Sequence, residues 1–540
     1  MFKLKRTVGC LVAIVFAVAM LMSLSGCSDS NKNSNSKIKI SCIMFDAESV
    51  GRDELWKFIE DKFNVEFEFV SVTDDDFEEK TQLLIATNEM PDLMWLDLDE
   101  SNFSTYANWV QQESFSPMPS LEELKEKYPN IYNLYTADNN YGDELMTING
   151  LQYAHPCIRE NADVDFLSGM GWMYRRDWAK ELGLYQEDDI YTWDEWVDLC
   201  QAFIDKDPGG NGAKNIGMGT ASYYFPSAFG VYQSSSEYGF GTFTLVNGSY
   251  QWTAAQDETL LGLKEAKKLW DNGLIWQDNF LGTSPDSYYT SGLMGMIFQN
   301  FTVGRYNTFL QTVRDNFPEK NAEDVCALAK VIGQDGTYWS KQSQCYYGVV
   351  TMSANISDEV KERWLTMLDW FVSEEGNLFI QYGIEGKDYE IVDGSVKCLW
   401  EESKDDPSIL VDPYPDGSRL FYECYVGAVD VSVAPPVIYS MQAIDAVNSQ
   451  YKFMLDNAFI RRFDYQSSYI STPKKDAYPT LQIDTESKMA EIIVNGSAET
   501  LEYEWNAWVS DKMPEVQQII DELNVTIEDK PVEHTIKYAE

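Results

Sequence analysis

After Ser36 the spacing of hydrophobic and polar positions changes period several times. Lys37-Ile38-Lys39-Ile40-Ser41-Cys42 alternates, which predicts a strand with one buried face. Leu55, Phe58, Ile59 and Phe63 then recur at helical spacing with charges opposite. Val65, Phe67 and Phe69 alternate with Glu66 and Glu68 as a second strand. Phe77 to Ala86 reads as a helix, and Pro91-Asp92 leads into Leu93-Met94-Trp95-Leu96, a short buried strand. Strand, helix, strand, helix, strand predicts a mostly parallel sheet with covering helices, an α/β fold.

Further along, Thr192-Trp193-Asp194-Glu195 forms a capping box, in which Thr192 accepts from a free helix amide while Glu195 reaches back. Trp196, Val197, Cys200 and Phe203 continue that helix on one face. A second helix runs through Leu260, Leu263, Lys267 and Trp270 to Gly273. A third starts from a Ser357 cap and runs through Val360, Trp364, Leu368 and Phe371, preceded by a strand at Gly348-Val349-Val350. Trp193, Trp196, Trp270 and Trp364 sit on these apolar faces and are expected to pack in cores.

The N-terminus changes the picture. Lys3, Lys5 and Arg6 precede an apolar run from Val8 to Leu24, just short of the ~20 residues a spanning helix needs. A charged start, an apolar stretch and small residues read as a secretory signal over residues 1–26. Leu24-Ser25-Gly26-Cys27 resembles a bacterial lipobox, which implies that Cys27 is acylated and anchors the chain to the outer face of the cell membrane. Residues 27–36 are polar turn formers and read as a flexible tether, which reaches about 30 Å when extended.

The remaining length exceeds one hydrophobic core, so two or more lobes are expected. The formal charge is −46, from 41 basic and 87 acidic residues; without residues 1–26, which carry three cations and no acid, it is −49. Such a surface repels nucleic acid and points to a neutral or cationic partner. The seven cysteines after Cys27 show no CxxC pair, so neither a zinc site nor a disulfide framework is expected, and they read as buried thiols. With only His155 and His534, neither a Ser-His-Asp triad nor a histidine-rich metal site is expected, and no segment nominates a pair of catalytic carboxylates.

Distributed motifs carry a resemblance. Asn88-Glu89-Met90-Pro91-Asp92-Leu93-Met94, Trp172-Met173-Tyr174-Arg175-Arg176-Asp177-Trp178 with Leu182-Gly183-Leu184, and Thr192-Trp193-Asp194-Glu195-Trp196 follow in order. Gly292-Leu293-Met294-Gly295-Met296, Ser373-Glu374-Glu375-Gly376 and Tyr382-Gly383-Ile384-Glu385-Gly386 continue the series. In this the chain resembles the family 1 extracellular solute-binding proteins of ABC importers, in particular the large Gram-positive lipoprotein group related to LplA. The resemblance implies a two-lobed, periplasmic-binding-protein-like fold of type II, with a ligand cleft between lobes joined by a hinge. It places residues 37–157 and about 346–400 in lobe 1, and 158–345 and about 401–540 in lobe 2. It also implies that Glu504-Trp505-Asn506-Ala507-Trp508-Val509 belongs to the closing segment.

Sugar rings expose C–H faces that stack on aromatic rings, and their hydroxyls need polar partners. Open α/β sheets bind ligands at the carboxyl ends of strands. Asp97 and Asp99, which follow the Leu93–Leu96 strand, are therefore ligand candidates, as are Tyr223 and Tyr224 after Ile216-Gly217-Met218-Gly219, and Gln299 and Asn300 after Met294–Phe298. The loop from Asp205 to Asn215 resembles a calcium loop, with Asp205, Asp207, Asn211 and Asn215 as the available ligands. Gly209 stands where the resembling loop carries Asn or Asp, and Asn215 stands for its last Asp. A helix-terminating turn without calcium is the preferred reading, and no other cofactor is expected. The sequence thus predicts a monomeric, non-catalytic receptor that captures a carbohydrate, an oligosaccharide by preference, for a membrane permease. The alternatives are a receptor for a peptide or other non-sugar solute, and a surface glycan-active enzyme.

Overall fold

The computed structural model describes residues 37–529 except 46, 48–51, 74–75, 99–102, 137–145, 159–166, 168, 221–242, 247–248, 281–283, 335, 342–345, 405–408, 415–420, 423–424, 428–438, 462–466, 468–469 and 471. Strand β1 (Ile38–Phe45), helix α1 (Glu54–Lys62), strand β2 (Val65–Val72), helix α2 (Phe77–Ala86) and strand β3 (Leu93–Leu96) follow the pattern read from the sequence. Asp53 caps α1 by accepting from the Trp56 amide at 3.0 Å, and Asn64, at φ 53°, makes the tight return into β2. β1 pairs in parallel with β2 from Ile38↔Val65 to Phe45↔Val72, and in parallel with β3 at Cys42↔Leu93. The first sheet adds β4 (Phe115–Ser116), β5 (Ala154–Ile158) and a late strand, Tyr346–Ser353, which returns antiparallel beside β3.

The Pro91-Asp92 motif serves this sheet. The Asp92 carboxylate accepts from the Ser41 amide at 2.8 Å and from its hydroxyl at 2.6 Å, while the Asp92 carbonyl accepts from the Ser353 amide. One acid thus ties three neighbouring strands at the end where β3 begins.

The second sheet consists of β6 (Met170–Tyr174), β7 (Ile190–Thr192), β8 (Ile216–Thr220), β9 (Met294–Asn300) and β10 (Ala327–Ile332), in the order β8-β9-β6-β10-β7. Only β6 runs against the others. The late strand of the first sheet is β11 (Tyr346–Ser353).

Residue parity explains why the second sheet is covered on both faces. Trp172, Tyr174 and Met296 join one core with Trp196 and Phe203, which lie on the helix Trp193–Lys206 capped by Thr192 and Glu195 as predicted. Leu263 of the helix Asp257–Asp271 and Trp505 of the closing helix Leu501–Asp529 complete that core, and Trp505 Nε1 donates to the Ala254 carbonyl at 3.2 Å. Met173 and Ile297 point the other way, onto Leu310 of Val303–Asn316 and Val447 of Met441–Asn457.

The first core holds one segment from much later in the chain. Phe421, Tyr422, Tyr425 and Val426 are buried in it: the Phe421 ring lies 4.9 Å from Trp56 and 5.1 Å from Phe67, and the Tyr425 hydroxyl donates to the Ile43 carbonyl at 2.5 Å. These residues lie past the return near residue 400 that the resemblance implied, yet they pack with the first sheet. The chain therefore passes between the two sheets three times, between residues 158 and 170, 341 and 346, and 426 and 440. Among the described residues, no helix is long and apolar enough to cross a membrane.

Candidate ligand-binding site

Three aromatic rings meet at the carboxyl ends of the parallel strands of the first sheet. Phe45 is the last residue of β1, Phe77 the first of α2, and Trp95 the third of β3. Their centroids are 5.1 Å apart for Phe45 and Phe77, 5.6 Å for Phe45 and Trp95, and 5.3 Å for Phe77 and Trp95, in tilted or edge-on pairs that suit the ring quadrupoles. All three remain partly exposed. The indole of Trp95 lies over Gly348 of β11, where a Cβ would stand 2.3 Å from Nε1, so only glycine admits the ring there. Asp97 follows two residues after Trp95 and is exposed, which sets a carboxylate beside an aromatic surface. Asp99 lies outside the described residues, as do Tyr223, Tyr224 and Cys27.

The matching end of the second sheet is polar and internally bonded. Gln299 is buried, its Nε2 donating to Asp286 Oδ1 at 2.9 Å and its Oε1 accepting from the Asn300 amide at 2.8 Å. Asn300 Oδ1 accepts from the Thr302 amide at 2.8 Å, just before the helix Val303–Asn316, and Arg305 pairs with the other Asp286 oxygen. The two candidates therefore shape the turn from strand to helix. Nearby, Trp172 packs edge-on against Phe298 at 5.3 Å.

The charged residues of the Tyr-Arg-Arg-Asp-Trp segment form a staple. Arg175 is buried, with Nε and Nη2 donating to the two Asp177 oxygens at 2.7 and 2.6 Å and its guanidinium 4.3 Å from the Trp178 ring centroid. Burial works to raise the Asp177 carboxyl, but Arg175 and Lys320 outweigh it and hold the group below the usual carboxylate range. Arg176 grips Asp189 in the same two-pronged way at 2.7 and 2.5 Å, and Asp189 also accepts from the Tyr174 hydroxyl at 2.5 Å. The motif fixes the helix Arg176–Leu182 onto the sheet.

In the loop resembling a calcium site, Asp207 is left-handed at φ 47°, and its oxygens accept from the Asn211 and Gly212 amides at 2.8 and 2.7 Å. Asn211 and Asn215 donate their side-chain amides to the Gly292 and Phe203 carbonyls. A side chain at Gly209 would strike Trp178, its Cβ only 2.6 Å from Cζ2, so the missing ligand has been exchanged for packing. Asn215 Oδ1 is buried and accepts no hydrogen bond, but with the Asp205 and Asp207 carboxylates, which accept from Gln201 and from two backbone amides, the loop offers three side-chain donors against the six to eight oxygens that calcium takes. The donor set does not fit calcium. Among the described residues, no group of three or more His, Cys, Asp or Glu is placed to hold a metal ion.

Sequence reasoning nominated polar residues after strands and missed the rings. Phe45 and Phe77 were not singled out and Trp95 read only as part of a buried strand, although each lies near a strand's carboxyl end or opens the following helix, which is the signal that could have found them.

Comparison with known proteins places this geometry. The pattern described as bacterial extracellular solute-binding protein matches residues 48–375. Lipoprotein LipO of Bacillus subtilis is 25% identical over 402 residues, covering 71% of this chain and 74% of that protein. The Streptococcus pneumoniae ABC-transporter substrate-binding protein FusA, solved in complex with kestose, superposes with a TM-score of 0.66 at 16% identity, covering 91% of this chain and 99% of FusA. The N-glycan transport solute-binding protein NgtS of the same species gives 0.58 at 15%, covering 90% and 99%. The two sheets are thus the centres of two lobes joined by a hinge, with the ligand cleft between them, and the chain belongs to the bacterial extracellular solute-binding proteins, the family 1 receptors of ABC importers.

Proposed function

We propose that the chain captures an oligosaccharide between its lobes and delivers it to an ABC permease, as a monomer held at the extracytoplasmic face of the membrane by a lipid on Cys27. The observation that carries this reading is the ring cluster of Phe45, Phe77 and Trp95, at the strand ends where such sheets receive ligands, with Asp97 beside it. A sugar face stacks on the rings while Asp97 and Asp99 accept from hydroxyls. Tyr223 and Tyr224 add a stacking ring, and Gln299 and Asn300 offer polar contacts from the second lobe. FusA, solved with kestose, and NgtS, named for N-glycan transport, support a glycan ligand, and the lipoprotein LipO supports the anchor. In this reading the first lobe comprises residues 37–157 and about 346–426, a boundary moved to include the rings buried in the first core.

A thermal-shift panel of oligosaccharides, followed by calorimetric titration of the best, tests the proposal. Trp95→Ala is expected to weaken that sugar about tenfold, from the loss of ring contact beyond buried area. A melting temperature that rises with peptides and with no sugar overturns the ligand class. Unchanged sugar affinity in Trp95→Ala overturns the site.

A further inference from the structure

The roots of the three passages between the lobes lie beside one another at strand β5 of the first sheet. β5 ends at Ile158, where the first passage leaves, and Ile158 pairs with Tyr346, where the second arrives on β11. The third leaves just after Val426 and Gly427. His155 lies on β5 opposite Val350 of β11 and is 1% exposed. Its Nε2 is 3.1 Å from the Val426 carbonyl, which can only accept, so Nε2 carries the proton. In the neutral ring Nδ1 then accepts, from the Tyr135 hydroxyl at 3.0 Å. Tyr135 ends the short helix Pro129–Tyr135, and its ring stacks on the imidazole with centroids 5.9 Å apart.

We propose that His155 is a clasp of the hinge: its neutral imidazole ties the third root, at Val426, to β5, which itself carries the first root and pairs with the second, and it releases the third root when it takes up a proton. The groups that bear on it are few. They are the Tyr135 phenol on the covering helix, the Val426 carbonyl, and strand β11 beside it; among the described residues, no charged side chain acts on its titration. An imidazolium at this place would be a buried cation with no counter-charge among the described residues, and its Nδ1 could no longer accept from Tyr135. Burial accordingly pulls the ring down to about 4 from 6.5, against the opposing effect of the Val426 hydrogen bond. The sign follows from that depression. The closed clasp is fully stable above the ordinary value of 6.5 and loses stability as pH falls from there towards 4, because the opened, hydrated ring binds the proton that the buried one refuses. Between pH 7 and 4.5 the opening equilibrium shifts by about 60-fold. Opening the clasp loosens the spacing of the passages, and hinge closure works by φ/ψ changes in just such segments.

The test needs no ligand, so it stands or falls apart from the sugar reading. Hydrogen exchange and small-angle scattering are measured on the ligand-free protein at pH 7 and 4.5, with exchange corrected for its intrinsic pH dependence. In the wild type, protection at residues 154–158 and 425–427 is expected to fall by tens-fold relative to β1 at the lower pH, and the radius of gyration to rise. His155→Gln keeps one donor and one acceptor without titrating, and should lose this acid response. His155→Phe fills the space without the bonds, and should exchange rapidly at both pH values. An acid response of wild-type size in His155→Gln overturns the proposal, as does wild-type protection at pH 7 in His155→Phe. Should the phenylalanine variant fail to fold, the glutamine variant alone decides.

Discussion

Replacing Gly348 by alanine puts a methyl group where the Trp95 indole lies. A Cβ at Gly348 falls 2.3 Å from Nε1, 2.4 Å from Cε2 and 2.5 Å from Cζ2, whereas ordinary contact begins at 3.4 Å, so something must move by about 1 Å. The atoms it meets belong to a rigid ring braced by Phe45 and Phe77, not to the end of a flexible chain. The strand cannot retreat either, because β11 is paired with β3 on one side and with β5 on the other. Overpacking of this kind costs about 1–3 kcal/mol, and each weakened ring pair about 0.5–1.5 kcal/mol. The expected outcome is a loss of about 2 kcal/mol in the first lobe and roughly tenfold weaker sugar binding, since the stacking surface itself is displaced. Urea unfolding followed by hydrogen exchange in β1 reads the stability, and calorimetric titration reads the affinity. A double-mutant cycle with Trp95→Ala separates clash from backbone strain. Once the indole is gone, the added methyl should cost less than about 0.5 kcal/mol. An equal cost of Gly348→Ala in both backgrounds would refute the argument, because the ring would then not be what the methyl meets.

Three further outcomes can be checked. Cys27→Ser should leave unprocessed precursor and abolish labelling with a fatty-acid probe; unchanged labelling would remove the anchor from the account. Chelation should leave the melting temperature unchanged at neutral pH, because the Asp207 oxygens already accept from two backbone amides; a fall of several degrees, restored by calcium alone, contradicts this. Asp189→Asn should cost about 2 kcal/mol by leaving the Arg176 guanidinium only its longer contact to Asp324, at 3.4 Å, while sugar affinity per folded molecule stays unchanged. Lost affinity in the folded variant would mean that the staple does more than hold the helix.

Much of the first lobe is legible because its early elements announce themselves locally. β2 alternates cleanly, α1 carries its own cap, and the Ser357 side chain accepts from the Val360 amide as its sequence predicts. What could not be read depends on register. Phe45, Phe77 and Trp95 are far apart in sequence, and only the parallel pairing of β1 with β3 and the turn of α2 bring their rings within 6 Å. The destination of residues 421–426 was hidden for a related reason. Their tyrosines and phenylalanine suit any core, and nothing local says which sheet they join. Gln299 and Asn300 show the opposite limit: they were read as following the strand but are its last two residues, and the hydrogen bonds that turn the chain into the next helix engage their side chains.

The same redistribution bears on the sign of the ligand. Arg175 and Arg176 are the two adjacent cations of the Tyr-Arg-Arg-Asp-Trp segment, and in isolation they would suggest a site for an anionic sugar. Both are committed elsewhere, Arg175 to Asp177 and to the Trp178 ring, Arg176 to Asp189. Withdrawing Arg176 would strand the buried Asp189, and withdrawing Arg175 would leave Asp177 to Lys320 alone, at a cost that one sugar carboxylate at the cleft could only exchange and not improve. The chain as a whole carries a large excess of acids, which lowers the concentration of any anion near its surface. Rings bind neutral sugar faces without needing fixed charge, and in the proposed site the exposed Asp97 would accept hydrogen bonds from hydroxyls but repel a carboxylate. The arrangement therefore favours a neutral glycan over a uronate, and it does so through the pairing of its arginines as much as through its aromatic wall.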